Sequence, residues 1–120
     1  MSRLTRSIVY AIDGIHACFR KEPNMRIHLF SAASVGLMGI VLQISPVEWA
    51  IMVICIGFVT GLELVNTAIE QLCDMVTKEV HPSIKLIKDI SAGAVLISAC
   101  MAGACGAIIF IPKLFSLINH

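Results

Sequence analysis

The sequence predicts an all-α membrane protein, with three transmembrane helices preceded by an N-terminal amphipathic helix on the membrane surface. Three observations carry that reading. Hydrophobic residues make up 58% of the 120 residues and charged residues only 14%, too apolar for an ordinary soluble domain. The charges are segregated, with none from Leu29 to Val47 and none from Ile90 to Pro112, runs of 19 and 23 residues. Such runs are long enough to cross ~30 Å of hydrocarbon at ~1.5 Å per residue. Lys and Arg are also uneven, clustering before the first run and again between Asp74 and Asp89.

The first 22 residues form their own element. Leu4, Ile8, Ile12, Ile15 and Phe19 recur at steps of three and four, while Arg3, Arg6, Asp13 and Arg20 take other faces. That pattern predicts an amphipathic helix over about 1–22, too poor in apolar residues to span. Pro23 interrupts it, and Asn24 to His28 lead into a first span over about 28–45.

Ser45-Pro46-Val47-Glu48 reads as a helix start. Ser45 suits the N-cap, Pro46 the first helical position, and Glu48 completes a capping box. Trp49 beside it suits an interfacial aromatic anchor. The apolar run Trp49–Leu62 has only 14 residues, so the second span must continue through Glu63, over about 46–77. His81-Pro82-Ser83 breaks the chain again. A third span is expected over about 83–111, stopped by Pro112. It is rich in Ala and Gly, residues that let membrane helices approach closely.

Positive residues at Arg3, Arg6, Arg20, Lys21 and Arg26, then at Lys78, Lys85 and Lys88, put the N-terminus and the second connection in the cytoplasm. The first connection and the C-terminus then lie outside. The first apolar run starts too late for a cleaved signal peptide. A net charge of +1 gives no reason to expect nucleic acid. Cys18, Cys55, Cys73, Cys100 and Cys105 form no CxxC and read as free thiols, with no zinc site implied.

The chemistry gathers in Glu63–Asp74, ELVNTAIEQLCD. At ~100° per residue Glu63, Asn66, Glu70 and Asp74 share one face about 80° wide. Glu63 directly continues an apolar span, where an ionisable residue costs about 2–3 kcal/mol and marks function. Grouped carboxylates repel unless protonated or neutralised by a cation. Mg²⁺ takes one or two carboxylates together with substrate phosphates. A carboxylate at the hydrocarbon boundary can instead take a proton from a lipid hydroxyl. Lys78, Lys85 and Lys88 can hold phosphate oxygens, and Glu22 lies near the same interface. The parts suggest phosphoryl transfer to a membrane-embedded acceptor. A cation or proton conduit would use the same carboxylates, but the outer halves of the spans are almost wholly apolar. No GxxxxGK[ST], GxGxxG or soluble-kinase motif is present. Lys85 and Asp89, four apart, can equally form a helix-surface ion pair.

ELVNTAIEQLCD, followed by KEVHP and IKDISAGAVL and preceded by EPNMRIHL, resembles the small prokaryotic integral-membrane diacylglycerol kinase family over nearly the whole chain. RIHL, Glu48-Trp49 and Ile109-Phe110-Ile111-Pro112 look more like its undecaprenol kinase branch. The resemblance implies an ATP- and Mg²⁺-dependent lipid kinase of the bacterial inner membrane, a homotrimer with sites built between subunits. It implies Glu63 as the base that deprotonates the lipid hydroxyl and Asn66 as its orienting partner. It implies Glu22 and Glu70 as the ligands of the divalent cation. It implies nucleotide contacts from Lys88 and Asp89, from Glu79 and His81 in the loop, and from Arg3 and Tyr10 on the surface helix. Two positions depart from the family's diacylglycerol kinases: Val41 where a tryptophan is expected, and His28 where an acidic residue is expected. Both bear on the acceptor, undecaprenol or diacylglycerol.

Overall fold

The computed structural model describes residues 2–119, and over them the chain is four helices: α1 (Arg3–Lys21), α2 (Pro23–Val41), α3 (Pro46–Val76) and α4 (Pro82–Ile118). Three of these, α2, α3 and α4, are long and apolar enough to cross a membrane. The molecule is a flat slab of 58 × 43 × 21 Å. Most of the surface of α2 faces outward rather than into the bundle.

Each junction has a local chemical cause. Pro23 has no N–H to continue α1, and its ring forces the preceding residue out of the helical region. Glu22 is accordingly extended, at φ −108° and ψ 112°, and is both the C-cap of α1 and the N-cap of α2. Helix α2 therefore starts at Pro23, a turn or more before the expected span near residue 28. Arg26 fixes the corner. Its Nε donates to the Phe19 carbonyl at 3.1 Å and its Nη2 to the Arg20 carbonyl at 2.8 Å. Those carbonyls belong to the last turn of α1, where no helical partner remains.

At the other end of α2, Gln43 adopts φ 54°, the left-handed region. The Ile44 N–H donates to the Gly39 carbonyl at 3.1 Å and the Gln43 N–H to the Ile40 carbonyl at 3.4 Å. This is a Schellman ending, with buried Ile44 as its apolar anchor. The expected capping box then opens α3. The Glu48 N–H donates to Ser45 Oγ at 3.2 Å, and the Ser45 N–H donates to Glu48 Oε1 at 2.9 Å.

The third span does not stop at Pro112, as the sequence suggested. Helix α4 carries Pro112 inside it and runs to Ile118. The proline costs the helix one N–H donor, but the segment is held on both sides. Ile109 and Phe110, just before it, are buried with Ile44 and Met52. Lys113, just after it, reaches Glu48 Oε1 at 3.1 Å.

That cluster is the core of the end away from Glu63, with Trp49 packed on it. Gly39 permits the fit: a Cβ there would lie 2.6 Å from Trp49 Cη2. Gly39→Ala therefore forces the indole off α2. We expect a loss of about 1–3 kcal/mol, as for overpacked cores, read as a lower Tm in detergent by circular dichroism.

Candidate active site

The site is built where α1, α2 and α3 meet. The helical period of α3 turns Glu63, Asn66 and Thr67 inward, and all three are buried. Glu63 is only 1% exposed although it is ionisable. Its Oε2 lies 3.7 Å from Nε2 of His28 on α2. Its Oε1 is buried without a hydrogen-bond partner among the described residues, as is Asn66 Oδ1. Two such orphan acceptors side by side are costly in a resting protein and suit a site awaiting a donor. Asn66 Nδ2 donates to Glu70 Oε1 at 3.4 Å. Thr67 Oγ1 donates to the Glu63 carbonyl at 2.9 Å and accepts from Cys18 Sγ at 3.4 Å, tying α1 to α3 behind the carboxylate.

Glu22 joins the group from the α1–α2 corner. Partial burial, then the charges of Glu70 and Glu63, push its carboxyl above the usual carboxylate range. A carboxyl crowded by like charges in this way would also be relieved by a dication. Among the described residues no three His, Cys, Asp or Glu side chains form a ready-made metal cluster. Two carboxylates, Glu22 and Glu70, nevertheless fit the way Mg²⁺ is held when phosphates supply the other ligands.

The remaining expected residues are arranged less tightly. Lys88 Nζ donates to Asp74 Oδ1 at 2.6 Å, so α4 is pinned to the end of the carboxylate face. Lys85 Nζ donates to Asp89 Oδ2 at 2.6 Å, the surface pair anticipated from their spacing. Glu79 and His81 border a second cavity, of about 310 Å³, at the α3–α4 connection. His81 also caps α4, its Nδ1 accepting from the Ser83 N–H at 3.1 Å. Arg3 and Tyr10 lie exposed along α1, apart from the buried group.

A groove of about 390 Å³ runs between α2, α3 and α4 from the His28 end toward Met52 and Gly106. Its walls are Ile27, Val35, Ile56, Val59 and the small Ala99, Ala102 and Gly103, with Ser31 and Thr60 among the few polar residues. The Ala and Gly of α4 thus leave room within the bundle. What the sequence left unseen was the approach of His28 to Glu63, the Asp74–Lys88 pair and the Cys18–Thr67 bond. Each joins different helices and has no local pattern.

Fold and site together define a class: a small helical membrane protein with an acidic centre toward one end of its spans and an apolar groove beside it. Residues 9–110 match the family described as prokaryotic diacylglycerol kinase. The chain is 40% identical over 114 residues to an undecaprenol kinase of Bacillus subtilis, covering 95% of this chain and 93% of that protein. It is 34% identical over 113 residues to a diacylglycerol kinase of Synechocystis, covering 93% of this chain and 65% of that protein. A diacylglycerol kinase of Haemophilus influenzae is 28% identical over 111 residues, covering 92% of this chain and 94% of that protein. The chain belongs to the prokaryotic diacylglycerol kinase family, and it is a lipid kinase.

Proposed function

We propose that the protein transfers the γ-phosphate of ATP, with Mg²⁺, to the hydroxyl of undecaprenol, yielding undecaprenyl phosphate. The observation that carries this reading is Glu63: an ionisable side chain 1% exposed, with one carboxylate oxygen unpartnered, beside an apolar groove. The acceptor's chain occupies the groove and its hydroxyl comes to Glu63, which removes the proton as the oxygen attacks phosphorus. Asn66 donates its Nδ2 to Glu70 and so orients that carboxylate beside the base. Glu22 and Glu70 would hold the cation. Bound there, Mg²⁺ would neutralise phosphate charge as the transfer proceeds. Lys88 and Asp89, Glu79 and His81, and Arg3 and Tyr10 contact the nucleotide.

The 40% identity to the Bacillus undecaprenol kinase supports undecaprenol as acceptor. Diacylglycerol, giving phosphatidic acid, is the second reading, supported by the Synechocystis and Haemophilus relatives. The apolar walls of the groove speak against a cation or proton conduit. In this reading residues 1–120 are one lipid kinase domain. α1 lies along the cytoplasmic face of the bacterial inner membrane, with the N-terminus inside and the C-terminus outside. Three copies assemble so that neighbours close the site over the exposed Arg3 and Tyr10.

The test incubates the purified protein with labelled ATP, Mg²⁺ and a panel of undecaprenol and diacylglycerol. Label on undecaprenol is the expected result. Label on diacylglycerol alone selects the second reading, and label on neither rejects both.

A further inference from the structure

Glu63 has a neighbour with no task in that scheme. A base buried to this degree can take a proton from its substrate but has no direct route to return it to water. His28 Nε2 stands 3.7 Å from Glu63 Oε2, and the His28 side chain is 22% exposed against 2% for Glu63. The same imidazole borders the apolar groove. It therefore touches the base and the acceptor's channel while remaining partly exposed. The other titratable groups near the carboxylate are Glu22 from the α1–α2 corner, Glu70 on α3, and Cys18 of α1 behind Thr67. Helix α4 brings only Ala and Gly to the groove. Carboxylates engaged with a cation are poor proton carriers. An imidazole can both accept a proton at one nitrogen and release one.

We propose that His28 is the proton-transfer residue that resets Glu63 after each turnover. The proposal rests on Glu63 acting as the base. As the acceptor oxygen bonds to the γ-phosphorus, the bond from that phosphorus to the ADP oxygen breaks and the acceptor's proton moves to the Glu63 carboxylate. Glu63 then passes it to His28 Nε2, and the imidazolium releases it to water from its exposed side, with no change of oxidation state. Closing from 3.7 Å to hydrogen-bond distance takes about 1 Å of side-chain movement.

The experiment compares His28→Ala and His28→Gln with the parent, all full length in lipid nanodiscs. Formation of the phosphorylated lipid is followed in single-turnover and steady-state modes. Both variants are expected to keep the first turnover within about threefold of the parent and to lose about 10–100-fold in steady-state kcat. The trace then shows a burst of one product per site. Imidazole in the buffer restores kcat to His28→Ala and does nothing for Glu63→Gln. The proposal is overturned if single-turnover and steady-state rates fall together without rescue, since His28 then only shapes the site. Parental kcat in both variants overturns it as well. If the alanine variant does not fold, the glutamine variant decides by its burst alone. Full activity in Glu63→Gln would instead bring down the assignment of the base, a different result from parental activity at position 28.

Discussion

Glu63→Gln is expected to lower kcat by about 10³-fold or more while nucleotide binding and assembly persist. General-base catalysis supplies about 10²–10⁴ in rate, and an amide cannot take up the hydroxyl proton. The amide is nearly isosteric and still hydrogen-bonds, so geometry is preserved. Stability should not suffer. The residue is 1% exposed and one of its oxygens has no partner, so replacing the charge by a neutral amide removes a desolvation cost. The decisive comparison is kcat against Tm for one preparation. An inactive variant with an undiminished Tm supports the base, whereas activity within tenfold of the parent removes Glu63 from the chemistry.

Glu70→Gln is expected to act on the metal rather than the proton. Its carboxylate receives Asn66 Nδ2 at 3.4 Å and lies close enough to Glu22 to raise that residue's pKa. Removing the charge leaves one carboxylate where two would share the cation. The Mg²⁺ concentration for half-maximal activity should rise about tenfold or more, and kcat/KM for nucleotide should fall by a comparable factor or worse. Titrating Mg²⁺ at fixed nucleotide reads this directly. An unchanged Mg²⁺ curve with a depressed kcat would move Glu70 to the support of Glu63 and Asn66.

Much of the architecture was legible because its causes are local. Pro23 ends one helix and starts another by its own ring. Ser45 and Glu48 cap α3 through atoms three residues apart. The carboxylate face follows from helical period alone, and the buried set of Glu63, Asn66 and Thr67 lies where that period turns it. The misses are tertiary. Pro112 reads as a stop in isolation, yet packing of Ile109 and Phe110 and the Lys113–Glu48 pair carry α4 past it. His28 and Glu63 are 35 residues apart, and only the docking of α2 on α3 brings them to 3.7 Å. Lys88 reads as a free cation in sequence, but a carboxylate on another helix holds it.

Trp49 is the only tryptophan, and it sits against Gly39 at the start of α3, about 21 Å along the helix from Glu63. Its intrinsic emission is thus a built-in optical gauge, remote from any ligand at the carboxylates. A spectral change when nucleotide alone is added would report movement relayed through the bundle, separating conformational response from simple occupancy without an added dye.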